Sequence, residues 1–252
     1  FIRVDDNSGT DRTITWPSSI KWTNGVAPTL VNNTRSTDGQ VFTLLTRDEG
    51  VTWYGWESVS SDPQTFTAWG WGQNNTGGLA QNNTTQYSSP KQVGSENTWA
   101  SLARGNYQHS NQFGVKTDGT LWVWGTNDYG DLGLNSRTYY SSPVQLPGTT
   151  WSQTTRGYRS AAAIKTDGTL WVWGSSSNGG LGLNQPDNTH LSSPAQISGT
   201  TWSDVVATYY SINAIKTDGT LWGWGNNDYG SVGDNSTTKR SSPVQIPGTT
   251  WS

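Results

Sequence analysis

The chain has 252 residues, 13% of them charged, and a net charge of −3. It lacks the basic patch or stripe that nucleic-acid binding needs, and it lacks the high net charge that usually accompanies disorder. Without cysteine it forms no disulfide or thiolate metal site, and no apolar run reaches the eighteen residues of a membrane span.

Residues 1–60 come first and differ from the rest. Val41-Phe42-Thr43-Leu44-Leu45 and Val51-Thr52-Trp53-Tyr54 read as two strands of a hairpin. Residues 57–65, with Pro63 inside, read as a linker.

From residue 61 onward one pattern recurs. A Trp-Gly anchor falls at Trp71, Trp124, Trp173 and Trp224, and a Ser-Ser-Pro anchor at Pro90, Pro143, Pro194 and Pro243. A Thr-Trp anchor falls at Trp99, Trp151, Trp202 and Trp251, and a Thr-Asp-Gly-Thr anchor at Asp118, Asp167 and Asp218. Successive spacings run from 49 to 53 residues. A period of that length announces a modular architecture.

Each anchor has a mechanical reading. Asp-Gly between apolar runs predicts a tight hairpin in which both turn residues take positive φ. Ala-Ile-Lys before it and Leu-Trp-Val-Trp after it are the strands. Trp171 and Trp173 point to one face, Leu170 and Val172 to the other. With both faces apolar, the sheets must be covered on both sides. Gly-rich loops follow each Trp-Gly, and Leu132, Leu181 and Val232 read as plugs into the core. Ser-Ser-Pro-Val-Gln-Ile-Pro predicts a proline-bounded edge strand, and Asp204–Ala207 the last strand of its repeat. Each period thus supplies about four short strands, the content of one propeller blade. The sixteen Trp carry much of this core. Each one buried is worth roughly 4–6 kcal/mol of gross transfer energy.

Leu-Trp-x-Trp-Gly, a Gly-x-Leu-Gly loop, Ser-Ser-Pro-Val-Gln and the Ala-Ile-Lys-Thr-Asp-Gly hairpin together resemble the regulator of chromosome condensation repeats. The resemblance covers about residues 64–252 and implies an all-β fold of β-propeller blades, usually seven to a ring. The wording Pro-Gly-Thr-Thr-Trp-Ser is similar to repeats of bacteriophage and bacterial surface proteins. Ile14–Trp22 and Thr46–Gly55 resemble a segment of phage fibre and baseplate-associated proteins. The expected organisation is a fibre-like β segment over 1–60 and propeller repeats, complete or partial, over 61–252. Trp251-Ser252 matches Trp202-Ser203, so the fourth copy lacks its next hairpin. Continuation of the polypeptide is the favoured way to close the ring. Blades from another chain, or the 41–56 hairpin, are the alternatives.

Chemistry-bearing residues are few. His109 and His190 are the sole histidines and lie in different repeats, with no Gly-x-Ser-x-Gly elbow. His109 falls at a blade-edge position of its repeat. Asp118, Asp167 and Asp218 follow from turn geometry, while Asp131 and Asp234 lie in loops without repeating together. The Asn127–Asp131 loop offers oxygen ligands, but its counterpart Ser175–Gly179 has no carboxylate, so the loop forms without calcium. No catalytic residue, metal ligand or cofactor is therefore expected. The positions that vary between copies carry Tyr107, Tyr129, Tyr139, Tyr140, Tyr158, Arg159, Tyr209, Tyr210 and Tyr229, with Arg137 nearby. Tyr and Arg are enriched at binding hot spots, which makes these the expected recognition surface.

The resulting expectation is a virion structural protein, a phage tail fibre or appendage that is extracellular and displays propeller loops for host attachment. Its partners would be other virion proteins or copies of itself and a host-surface glycan or protein, with no nucleic acid and no membrane insertion. The alternatives are a bacterial surface or fibril protein whose repeats self-associate, and a glycan-degrading hydrolase of the tailspike type.

Overall fold

The structure, a computed structural model, describes residues 2–4, 20–22, 40–46, 53–59, 66–103, 110–248 and 250–251. Two compact units divide the chain, Phe1–Thr65 and Phe66–Ser252.

In the first unit, β1 (Ile2–Val4), β2 (Ile20–Trp22), β3 (Gln40–Thr46) and β4 (Trp53–Val59) form one sheet in the order β1-β3-β4-β2. β3 and β4 pair antiparallel from Thr46↔Trp53 to Gln40↔Val59, and β2 runs parallel to β4. The expected hairpin is present, but β4 runs on to Val59. The linker read at 57–65 thus starts inside a strand, because Glu57, Ser58 and Val59 have backbone partners in Phe42, Val41 and Gln40. Residues 60–65 lie outside the described ones.

The second unit is a series of antiparallel sheets. β5 (Trp69–Gly72) and β6 (Tyr87–Gln92) make a two-stranded sheet. β7 (Trp99–Leu102), β8 (Gln112–Lys116), β9 (Leu121–Gly125) and β10 (Tyr140–Leu146) make the first four-stranded one. β11 (Trp151–Arg156), β12 (Ser160–Lys165), β13 (Leu170–Ser175) and β14 (His190–Ile197) make the second. β15 (Trp202–Ala207), β16 (Ser211–Lys216), β17 (Leu221–Gly225) and β18 (Arg240–Ile246) make the third. Strands pair in chain order, and each four-stranded sheet is one propeller blade.

The sheet unit starts at the Thr-Trp anchor and closes at Ser-Ser-Pro, so its frame is offset from the repeat defined by Trp-Gly. The Trp202–Ile246 blade consequently has all four strands, and in the first copy β5 and β6 are the third and fourth. Pro143, Pro194 and Pro243 sit within the edge strands β10, β14 and β18, where the register shifts. A residue without an N–H fits an edge at a bulge.

The Asp-Gly turn differs from expectation. Gly119, Gly168 and Gly219 have φ of +76°, +76° and +78°, but their Asp neighbours stay at negative φ. Gly168 N–H donates to Lys165 O (2.9 Å) and Lys165 N–H to Thr169 O (2.9 Å). This is a type I turn followed by a left-handed glycine, which three-residue hairpin loops favour. Asp167 prefers its ordinary backbone here because its carboxylate accepts from Thr169 N–H (3.0 Å) and Thr169 Oγ1 (2.7 Å). The same pair of bonds recurs at Asp118 and Asp218.

The core lies between blades. Ala161, Ala163 and Trp173 pack with Phe113, Val115, Leu121 and Val123 of the preceding blade. Ala162, Ile164, Leu170 and Val172 pack with Val205, Ile212, Ala214 and Trp224 of the following one. Both faces of a blade are therefore buried, and Leu132, Leu181 and Val232 fill the gaps as expected.

Candidate recognition site

Three loops meet at one end of the blades. The β11–β12 turn carries Gly157-Tyr158-Arg159, and the β15–β16 turn carries Thr208-Tyr209-Tyr210. The β9–β10 loop carries Tyr129 and Tyr139. Tyr158 N–H donates to Tyr209 O (3.3 Å), tying two of these turns together.

Their side chains form a continuous ridge. Tyr158 stacks on Tyr209 with ring centroids 4.3 Å apart and meets Tyr210 edge-on at 5.6 Å. Tyr209 and Tyr210 touch edge-on at 4.4 Å. The Arg159 guanidinium lies 4.3 Å from the Tyr129 ring centroid and 4.6 Å from that of Tyr158. Tyr129 in turn meets His190 edge-on at 5.1 Å. The Tyr139 hydroxyl donates to the Asp128 carboxylate.

Protonation on the ridge follows from these contacts. Burial works against the Arg159 charge, but the surrounding tyrosines outweigh it and raise its pKa. Burial, with the charges of Arg137 and Arg159, lowers that of His190, so its imidazole is neutral at neutral pH. Tyr139 is pushed up to about 12 by its bond to Asp128. Tyr209 is pushed up to about 12 by lost hydration and by its hydrogen bonds with Tyr158 and Tyr210. Both phenols therefore stay protonated, and the ridge sets the Arg159 guanidinium among ring faces.

A buried polar chain adjoins it. Arg156 Nη1 donates to Asn111 O (2.7 Å), and Asn111 Nδ2 donates to Asp131 Oδ2 (3.0 Å). Asp131 Oδ1 accepts from the backbone N–H of Tyr129 (3.1 Å), which fixes the base of that tyrosine. Asp131 is fully buried, and burial lifts its carboxyl to about 6. Sequence reasoning did not mark this trio as functional. The signal was available: the matching residues in the next blade are Ala207 for Arg156 and Ser160 for Asn111, and Ser231 stands for Asp131 one repeat further.

The loop from Thr126 to Tyr139 is pinned from inside. Asn127 Nδ2 donates to Ser136 O (2.9 Å) and Thr138 O (3.0 Å), while its Oδ1 accepts from Leu132 N–H (2.9 Å). Asn74 and Asn227 repeat that arrangement.

Of the expected surface residues, the structure brings Tyr129, Tyr158, Arg159, Tyr209 and Tyr210 into one ridge, with Tyr139 further along the loop that carries Tyr129. Tyr140 instead lies half-buried in β10 opposite Gly125 and packs on the core. Tyr229 occupies the position of Tyr129 one blade pair later and is 97% exposed, without a ring partner among the described residues. Tyr107 and His109 lie outside the described residues.

Against known proteins, the family described as regulator of chromosome condensation (RCC1) repeat matches residues 118–164, 167–210 and 218–250. No curated protein sequence matches. Among solved structures, human WBSCR16 is similar at a TM-score of 0.62 and 22% identity, over 76% of this chain and 50% of that one. Yeast RCC1 (Prp20) bound to Kap60 is similar at 0.61 and 18% identity, over 73% and 45%. Prp20p from Saccharomyces cerevisiae, described with its binding to Gsp1p and histones, is similar at 0.62 and 18%, over 73% and 47%. These likenesses establish the propeller fold, and the chain spans about half the length of each.

Proposed function

Over residues 118–250 this chain belongs to the regulator of chromosome condensation (RCC1) repeat family, and from that premise we propose that it is a non-enzymatic adhesion component of a bacteriophage particle, a tail fibre or related appendage. Its propeller loops attach to a glycan or protein on the host surface, and neighbouring virion proteins or further copies of the chain hold it in place. The observation that carries the reading is the tyrosine–arginine ridge. Successive blades hold its rings rigidly, Tyr209 is 48% exposed and Tyr139 43%, and one guanidinium stands fixed among them. Such rings offer contact area at low entropic cost. Multiple copies would turn weak contacts into useful avidity. The phage setting is supported by the resemblance of the repeats and of residues 1–60 to phage proteins.

Two measurements test this. Antibody against the chain should label purified phage particles; particles without it would remove the virion assignment. Purified chain should bind host cells, and the triple variant Y158A, R159A, Y209A should bind at least ten-fold more weakly at a temperature where its circular dichroism shows it still folded. Unchanged binding would remove the ridge from the mechanism.

A further inference from the structure

A second feature recurs between blades, away from the ridge. Lys165 Nζ lies 4.7 Å from the Trp151 ring centroid and 4.4 Å from that of Trp171. Lys216 Nζ lies 4.8 Å from Trp202 and 4.3 Å from Trp222. Each ammonium is thus held between two indoles by cation–π attraction.

Each clamp lines a cavity. The one beside Lys165 measures about 370 Å³ and the one beside Lys216 about 450 Å³, within the range of roughly 300–1,000 Å³ for ligand pockets. Their walls correspond residue by residue: Leu134 and Leu183, Asn135 and Asn184, Pro194 and Pro243. The two asparagines take φ of 52° and 53°, and their N–H groups cross to Ser192 O (2.6 Å) and Ser241 O (2.7 Å) of the next blade. The cavities are therefore built features of the blade junction.

Charge distinguishes them from the first copy. There Lys116 sits between Trp99 and Trp122 in the same way, but Glu96 neutralises it at 2.5 Å. Glu96 lies in a link one residue longer than its later counterparts. Lys165 and Lys216 have no ion-pair partner among the described residues. Each leaves a cation in a cavity walled by indole, Leu and Pro, beside the amides of Asn135 and Gln145 in one and of Asn184 in the other, with Asp167 and Asp218 the turn carboxylates that feel the two charges.

We infer that these two cavities bind acidic sugars. A pyranose bearing a carboxylate has an apolar ring face for the indole and the leucine, hydroxyls for the asparagine amide, and an anion for the ammonium. An inorganic anion would leave the indole and leucine unused, and an alkyl chain would offer no acceptor to the asparagine Nδ2–H groups; the Asn184 Oδ1 already accepts from Ser241 Oγ (3.0 Å). Repetition at successive junctions suits a polymer of such sugars. The inference is independent of the ridge and of the virion reading, since it rests on other residues and needs no cell.

The test is calorimetric titration of the whole chain with an oligosaccharide of glucuronic acid and, in parallel, with the matching glucose oligosaccharide. Binding to two sites per chain is expected, with the neutral oligosaccharide at least ten-fold weaker. K165Q and K216Q should each remove one site, and together both. Should either lysine variant misfold, N135D and N184D place a carboxylate in the exposed wall without touching the clamp, and should abolish binding likewise. Equal binding of the two oligosaccharides, no saturable binding by the parent, or binding indifferent to these variants would overturn the assignment. Ridge variants should titrate as the parent does; loss of uronate binding in Y158A or Y209A would place the sugar on the ridge and overturn it too.

Discussion

Trp173 and Asp131 stand 42 residues apart and are joined by a 2.8 Å hydrogen bond from the indole Nε1 to the backbone carbonyl. Trp124 makes the matching bond to Gly78 O at 3.0 Å. At these two copies the Trp-Gly anchor thus bolts a blade to the loop of the blade before it, whereas the buried Trp224 indole N–H makes no such bond. Trp173 is fully buried, and Trp71 at the same position in the first copy is 60% exposed. W173A should therefore cost about 3–5 kcal/mol and W173F about 1–3, the latter through a stranded carbonyl and lost volume. W71F should stay within about 0.5 kcal/mol. Urea denaturation of the three variants would check this; equal losses at the two sites would refute the bolt.

Gly130 and Gly230 offer a cleaner contrast, because they are the same residue of the repeat at φ +77° and +74°. A Cβ on Gly130 would come within 2.6 Å of Ser192 Cα in the next blade, whereas on Gly230 the nearest atom is Ser236 O at 3.9 Å. G230A should pay only for its left-handed backbone, about 1–2 kcal/mol. G130A adds a backbone clash and should cost clearly more. Melting curves of the pair separate conformational strain from blade contact, and identical shifts would mean that the blades yield freely.

These contrasts show what the sequence made legible. Trp173, Leu132 and the Asp167-Gly168 turn recur at one period, and recurrence exposed their packing and turn roles directly. The frame of the blade was less visible. Trp-Gly is the loudest signal, yet it lies on a blade's third strand, and the quieter Thr-Trp begins the sheet. The turn type was misread because Asp-Gly fits either of two hairpins, and the choice depends on Thr169 donating to Asp167. On the candidate site, ring chemistry singled out Tyr158 and Tyr209, which the fold stacks on each other, but Tyr140 alternates into the core while its neighbour Tyr139 faces out. The Arg156–Asn111–Asp131 chain escaped because its members are 20 and 45 residues apart, although each breaks the repeat.

Arg159 and Tyr129 should be energetically coupled. The guanidinium lies over the ring at 4.3 Å, and cation–π pairs of this kind contribute about 0.5–2 kcal/mol. A double-mutant cycle with R159A and Y129A should return a coupling in that range. R159K should recover little of it, because a lysine loses the planar stacking of arginine. A coupling below about 0.3 kcal/mol would mean that the ridge is a set of neighbours without mutual support.

The buried carboxyl of Asp131 should leave a signature in the pH dependence of stability. Its folded pKa is raised to about 6 from 3.8, chiefly by burial. Between those values the folded chain binds more protons than the unfolded one, so stability falls as pH rises through the window. The penalty is absent below about 4, complete above about 6, and amounts to as much as roughly 3 kcal/mol. His190 acts in the opposite direction. Its pKa is lowered from 6.5, so the unfolded chain binds more protons there and stability falls as pH drops below about 6.5. Asp118, Asp167, Asp218 and Asp234 are depressed, and their contribution is lost only as pH falls below about 4. The parent alone therefore shows a partly cancelled profile. Comparing it with D131N cancels the histidine and the other carboxylates. D131N loses acceptor capacity toward Asn111 and Tyr129, which offsets its stability by a constant amount. The difference in unfolding free energy, D131N minus parent, should then climb by about 1–3 kcal/mol from pH 4 to pH 7. A difference that stays flat across that range would show that Asp131 ionises as freely in the folded chain as in the unfolded one.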